Sequence, residues 1–264
     1  MKFYLGCHQP IWLTEIRFPL FVSHRRLDRY KKFNKKAACD WALDSGGFTE
    51  LNMYGCWKTT PEYYAKKARF YYDNLGRMDW AACQDWMCEP FVLAKTGKTI
   101  EEHQTLTIDS YFKLKELDSQ LPFVPILQGW EKHHYFEHVD EYLRRGIDLT
   151  QFNTVGIGSV CRRQHTEEAE NIVKSLSSQG IKLHGFGFKT LGLINTKDYF
   201  ASSDSMSWCI TASREPRLPG CTEHIKCSNC IRFAIKWRAN MLKKVGIPDD
   251  FAEQPLIYNT KYRI

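Results

Sequence analysis

Apolar, strand-like runs recur along this chain, each closed by a short polar cluster and separated from the next by a helical pattern. The clusters are Asp44-Ser45-Gly46-Gly47-Phe48, Gln84-Asp85, Gln128-Gly129 and Asp204-Ser205. Strands that alternate with helices predict a parallel sheet with crossover connections. In a parallel α/β barrel the loops after successive strands converge on one face, so polar groups at strand ends gather around one substrate. The pattern reads as that of an enzyme.

Residues 152–188 show the alternation most completely. An apolar run ends in Val155-Gly156-Ile157-Gly158, and Thr166 then stands as an N-cap with Glu167 and Glu168 in the first turn. Ala169, Ile172, Val173 and Leu176 follow at helical spacing, Gly180 marks the stop, and Ile181–Phe186 is extended again. Thr60-Pro61-Glu62 opens a helix to Asn74, and Thr99 with Glu102 forms a capping box ahead of a helix reaching about Leu117. Strand-like runs lie at about 38–44, 79–84, 123–127, 153–158, 182–188 and 200–204, with Phe3-Tyr4-Leu5 as a first strand. Seven or eight such units without a linker favour a (β/α)8 TIM barrel over an open doubly wound sheet, which periodicity alone does not exclude. A length of 264 residues fits one such domain, since these barrels commonly run to about 250 residues. Residues 1–264 are therefore read as one unit.

No stretch of about 18 apolar residues offers a membrane span, and Met1–Leu13 is interrupted by Lys2, His8, Gln9 and Pro10 where a secretory signal would be continuous. A cytoplasmic location is the expectation. The ten cysteines then read as buried thiols plus a metal site, not as a disulfide framework. The net charge of +7 is unevenly placed: eight basic residues against Asp28 alone between Arg17 and Lys36, with Phe18, Phe21, Tyr30 and Phe33 interleaved. A second basic segment runs from Lys226 through Arg232, Lys236, Arg238, Lys243 and Lys244. Both segments suit a phosphate backbone, and both also suit plain solvated faces.

In the first cluster, two glycines let the backbone approach a ligand, and Phe48 offers a face for a flat base; a structural Gly-Gly turn is the plainer alternative. Asp85 ends a strand among Cys83 and Trp86, where a carboxylate needs a partner, and Gln128 carries the donor and acceptor that suit a purine edge. Each of these is compatible with a structural role on its own. Asp204 pairs in principle with Asp44 across the mouth, and two carboxylates in one site can divide the work of nucleophile and proton donor at a glycosidic carbon. Cys221, His224, Cys227 and Cys230 give Cys-x2-His-x2-Cys-x2-Cys, a soft donor set that selects tetrahedral zinc in a closed, structural site. His224 is the ligand most readily replaced by a group from elsewhere.

These motifs resemble those of the tRNA-guanine transglycosylase superfamily. Asp44-Ser45-Gly46-Gly47-Phe48 resembles its Asp-Ser-Gly-Gly-Phe signature, Leu127-Gln128-Gly129 its Val-Gln-Gly, and Ile157-Gly158-Ser159-Val160 its Ile-Gly-Gly-Leu. His184-Gly185-Phe186-Gly187 resembles its Met-Gly-Val-Gly, and Asp204-Ser205-Met206-Ser207-Trp208 the archaeal form of its nucleophile strand. The matches keep the family order over about residues 40–240. The resemblance implies a (β/α)8 barrel with a zinc subdomain, here residues 217–245, and exchange of guanine in a polynucleotide for a 7-deazaguanine with no organic cofactor. It implies Asp204 as nucleophile at the sugar C1′ and Asp44 as general acid/base. Ser45, Gly46, Asp85, Gln128, Gly129, Gly158 and Ser159 would surround the purine, Phe48 would stack on it, and His184 takes the place of a capping methionine.

The chain also departs from the family pattern. Trp130 follows Gln128-Gly129 where the family has a second glycine, and Ile210-Thr211-Ala212-Ser213-Arg214 replaces a Pro-Thr-Arg. The cysteine spacing is Cys-x5-Cys-x2-Cys with no histidine after Cys230, and the length leaves no room for an added RNA-binding domain. In these respects the chain resembles the compact DNA-modifying branch found in phages and bacterial modification islands, which inserts bases such as 7-cyano-7-deazaguanine. DNA is then the expected partner ahead of tRNA, with a free 7-deazaguanine as second substrate, no membrane, and a homodimer left open. Two other classes stay open beside this reading: a base or nucleoside N-glycosidase, and a non-catalytic zinc protein that binds nucleic acid.

Overall fold

The computed structural model describes residues 1–161, 163 and 166–251. Nine strands form one sheet: β1 (Lys2–Cys7), β2 (Leu20–Ser23), β3 (Trp41–Asp44), β4 (Met78–Ala82), β5 (Phe123–Val124), β6 (Ile126–Leu127), β7 (Val155–Ile157), β8 (Leu183–Gly185) and β9 (Phe200–Ser205). Every pair is parallel, in the order β5-β4-β3-β2-β1-β9-β8-β7-β6. The two ends of that order, β5 and β6, are separated only by Pro125, whose carbonyl accepts the Gly156 N–H at 2.9 Å. They are one strand interrupted where proline has no N–H to donate, so eight strand positions close into a barrel.

The described residues also form ten helices: α1 (His24–Leu27), α2 (Gly47–Tyr54), α3 (Pro61–Leu75), α4 (Pro90–Thr96), α5 (Ile100–Leu117), α6 (Lys132–Arg144), α7 (Glu167–Ser178), α8 (Thr190–Thr196), α9 (Ser207–Arg214) and α10 (Ile231–Val245). The caps read from sequence form. The Thr60 side chain accepts the Tyr63 N–H, Thr99 and Glu102 close a capping box, and Thr166 accepts the Ala169 N–H.

Strand β2 was not anticipated. It lies inside the first basic segment, and the link from β1 is a 3-10 turn, Pro10–Thr14, in place of a crossover helix. Phe18 and Phe21, read as aromatics interleaved among nucleic-acid-facing cations, are buried in the core. In the second segment Arg238 is also buried, its guanidinium 4.3 Å from the Phe18 ring and paired with Asp249 at 2.8 Å. That cation serves packing, because a buried guanidinium needs an ionic partner.

The barrel interior is filled by rings. Tyr4, Phe21, Trp80, His184 and Phe186 pack with centroid separations of 4.6–6.2 Å. Such layers make the barrel a packed core with its mouth at the C-terminal ends of the strands. Glycines on the inner strands make room for this filling. A Cβ on Gly156 would stand 2.6 Å from Phe186 Cε2 and 2.9 Å from Ile126 Cγ1.

Gly156→Ala should therefore overpack the interior and cost about 1–3 kcal/mol. Chemical denaturation of the variant checks this, and wild-type stability would contradict the packing described.

Candidate active site

The polar clusters meet at the C-terminal mouth, with β3 and β9, which carry Asp44 and Asp204, three strand positions apart around the ring. Asp44 is the last residue of β3 and lies in register with Ser23 of β2. Burial pushes its carboxyl above the usual aspartate range; hydrogen bonds from Ser23 and the Gly46 N–H pull it back, and nearby Asp204 pushes it further up. Asp44 thus holds a proton more tightly than an exposed aspartate. Gly46 has φ +88°, and Arg25 of α1 crosses over the turn so closely that a Cβ there would lie 2.9 Å from its side chain.

Arg25 ends on Glu50 at 3.2 Å. Glu50 is buried on α2 and also accepts the Lys58 N–H, the Thr59 N–H at 3.0 Å and the Thr59 hydroxyl at 2.6 Å. Burial alone would raise its carboxyl, but the Thr59 and Lys58 donors and Arg25 hold it below the ordinary glutamate range. This ionic clasp fixes the Asp-Ser-Gly-Gly turn from outside. The sequence held no sign of it, because its partners lie 8 to 25 residues apart on separate elements.

A second hydrogen-bonded chain crosses from β4 to β7. Gln128, fully buried after β6, donates its amide to Asp85 and accepts from Ser159 Oγ at 2.7 Å. Ser45 Oγ reaches Asp85 at 3.5 Å, and Ser159 Oγ also contacts Glu89 at 2.8 Å while accepting the Cys88 N–H at 2.8 Å. Ser159 adopts φ +59°, uncommon for a residue with a side chain, and its three partners hold that conformation. Gly158 is required by close approach, since a Cβ would fall 2.2 Å from Gln128 Nε2. Gly129 likewise leaves room for His134 and Tyr135 at 3.0 and 3.1 Å. Glu89 was missed by sequence reading; its only signal is an acid embedded in Trp86-Met87-Cys88-Glu89-Pro90.

Asp204, near the end of β9, is 6% exposed and accepts the Gly187 N–H at 2.8 Å. Phe48 sits on the first turn of α2 and is 47% exposed. His184, expected as a cap over a bound base, has no exposed surface and lies within the ring-filled interior, its Nε2 3.4 Å from Asp204 Oδ1. The structure thus gathers Asp44, Ser45, Asp85, Gln128, Gly158, Ser159 and Asp204 at one end of the barrel, with His184 in the packed interior against Asp204.

The four cysteine-cluster residues also converge. The ligand atoms of Cys221, His224, Cys227 and Cys230 lie within 4.8 Å of one another, so the cluster can hold a metal ion. Cys221 and Cys230 sulfurs are 3.8 Å apart, which matches the edge of about 3.8 Å that two Zn–S bonds of about 2.3 Å span in a tetrahedron. His224 Nε2 lies 3.2 Å from Cys227 Sγ. The Leu218 N–H and Arg232 guanidinium point at Cys227 and Cys221 sulfurs at 3.3 and 3.5 Å, outer-shell contacts that favour thiolate. Asn229 of this knuckle bonds His8 in the loop after β1, and His8 stacks on Trp208 at 5.2 Å.

A closed parallel barrel with carboxylates and amides around its C-terminal mouth defines a barrel enzyme. The chain belongs to the DpdA family, DeoxyPurine in DNA protein A, whose model matches residues 1–253. It is thereby a DNA-modifying protein of tRNA-guanine-transglycosylase-like kind and, at that level, a glycosyl-transferring enzyme. No curated protein matches it. Among the described residues no helix is long and apolar enough to cross a membrane.

The site carries a pH signature. Burial and the charge of Asp44 push the Asp85 carboxyl up to about 7, against hydrogen bonds from its own backbone and Gln128. An unfolded aspartate titrates near about 3.9, so the advantage of neutral Asp85 is full below that value and lost as pH rises through about 7. Asp85→Asn should therefore flatten the decline in stability across this window, as read from denaturation midpoints at several pH values. Parallel profiles for variant and wild type would contradict it.

Proposed function

We propose that the protein exchanges guanine in DNA for a 7-deazaguanine by double displacement at the sugar C1′. The observation that carries this reading is the pair Asp44 and Asp204 at the barrel mouth, Asp204 buried and Asp44 half-buried, close enough to influence each other, with the Asp44 carboxyl shifted above the ordinary aspartate range. In the first step an Asp204 oxygen bonds to C1′ as the C1′–N9 bond breaks. Guanine leaves with the bonding electrons and takes a proton from Asp44. In the second step Asp44 receives a proton from the incoming base, whose nitrogen displaces Asp204 and restores a glycosidic bond. Environments that separate the proton affinities of two carboxyl groups suit this division of labour. Asp85, Gln128 and Ser159 form the polar wall that reads the purine edge, with Ser45, Gly46, Gly129 and Gly158 shaping the space, and Phe48 supplies a stacking face.

A base in a duplex must leave the stack before its sugar is reached. A groove of about 420 Å³ beside the end of β9 supports DNA as the partner, since His8, Arg26, Arg29, Tyr30, Met206 and Asn229 line it. Arg26 and Arg29 are exposed and form no ion pair among the described residues, leaving both for phosphates. The thiol-rich Cys221, His224, Cys227 and Cys230 set fits structural zinc, and residues 217–245 act as its subdomain, with no ligand position left for chemistry.

The test is incubation with labelled guanine and duplex DNA, single-stranded DNA or unmodified tRNA, scoring label retained in polymer. Label in DNA is expected, and Asp204→Asn or Asp44→Asn should reduce it by about 10³-fold or more. Label in tRNA alone would replace DNA as the acceptor, and release of guanine without incorporation would mark a glycosidase. Purified protein should contain zinc at one equivalent per chain, and Cys227→Ser should lose metal and thermal stability together. Wild-type protein without metal would overturn that assignment.

A further inference from the structure

Among the described residues His184 is the one histidine in contact with the Asp204 carboxyl, and the chemistry above gives it no task. It is fully buried on β8, in register with Ser202 of β9, and its Nδ1 lies 2.8 Å from Ser202 Oγ. Its Nε2 is buried with no well-formed hydrogen bond, and the acidic atom it faces is Asp204 Oδ1 at 3.4 Å. Oδ1 also accepts the Gly187 N–H, whereas Oδ2 accepts no hydrogen bond among the described residues. We propose that His184, oriented by Ser202, is a positioning residue that holds Asp204 Oδ1 through Nε2–H and leaves Oδ2 to meet the sugar carbon. This rests on Asp204 as nucleophile.

The tautomer follows from the partners. A Ser202 hydroxyl that donates to Nδ1 places the ring proton on Nε2, toward the carboxylate. The opposite tautomer would aim a nitrogen lone pair at a carboxylate oxygen, a repulsive contact in a site shielded from water. At 3.4 Å the contact is long, and catalytic hydrogen bonds commonly shorten when substrate is in place.

Neutrality of the ring matters to the reaction. Rings of Tyr4, Phe21, Trp80 and Phe186 enclose His184, and the Tyr4 hydroxyl is engaged by Asp79, so Asp204 is the charged group it meets. Burial lowers the imidazole's affinity for a proton, with Asp204 opposing in part. Forming the glycosyl ester discharges Asp204. An imidazolium beside it would stabilise the reactant carboxylate more than the transition state and slow attack. A neutral N–H orients the oxygen with less of that penalty. The methionine expected at this position from the resemblance has no such donor.

The experiment compares His184→Phe, His184→Gln and Ser202→Ala in steady-state exchange on DNA, with Asp204 labelled at its carboxyl carbon for NMR titration. His184→Phe should lower kcat by about 10²-fold with KM for DNA unchanged, and should raise the Asp204 pKa through loss of a donor. His184→Gln, which restores an N–H, should recover most of the rate. Ser202→Ala should show a smaller loss of the same kind and, as the mildest change in volume, carries the test if His184→Phe does not fold. Full kcat with an unmoved Asp204 titration in the folded variants would overturn the proposal, as would equal losses in the Phe and Gln variants. An active Asp204→Asn enzyme would instead overturn the nucleophile reading, while the NMR shift would still report on the His184 contact.

Discussion

Parallel strands leave unpaired backbone at both edges of a sheet, and this fold depends on removing those edges by closing the ring. Two junctions do so: β1 against β9, which joins the beginning of the chain to its last strand, and the run Phe123–Leu127, which turns at Pro125 to pair β4 on one side and β7 on the other. Closure aligns all strand ends at one rim. Asp44, Asp85, Gln128, Ser159 and Asp204 come from five different strand ends, and the ring turns their separation in sequence into adjacency.

Below the rim the aromatic filling sets a floor, and above it two external supports hold the loops. The Arg25–Glu50 clasp fixes the turn after β3. The cysteine knuckle, through Asn229 and His8, fixes the loop after β1. Between them the carboxyl groups share a poorly solvated space in which their charges are strongly felt, which is why Asp44 and Asp85 both depart upward from ordinary aspartates.

Much of this was legible in the sequence where the signal was local. Thr60, Thr99 and Thr166 announce helix starts because a cap and its N–H partner lie within one turn, and the cysteine knuckle is legible because its four residues fall within ten positions. The order of polar clusters after apolar runs predicted the rim for the same reason. Strand β2 escaped because four residues among lysines and arginines show no period, and no helix separates them from β1. Arg238 looked like a surface cation because its partners, Phe18 and Asp249, are visible only once the chain has folded. Glu89 meets Ser159 across 70 residues, and the rings around His184 come from elements as distant as that of Tyr4, which no local pattern encodes.

The pairing of β1 with β9 also has a bearing on how the molecule is made. Contacts such as Trp208 Nε1 to the Gly6 carbonyl span 202 residues, and the His8–Asn229 bond spans 221. Contacts of such separation carry the greatest loop-closure entropy and slow folding. In a chain emerging from synthesis the β1–β9 seam cannot close until residues near 200 are released. Asp204 arrives on that closing strand. Closure of the ring and delivery of the Asp204 carboxylate to its mouth are thus a single late event.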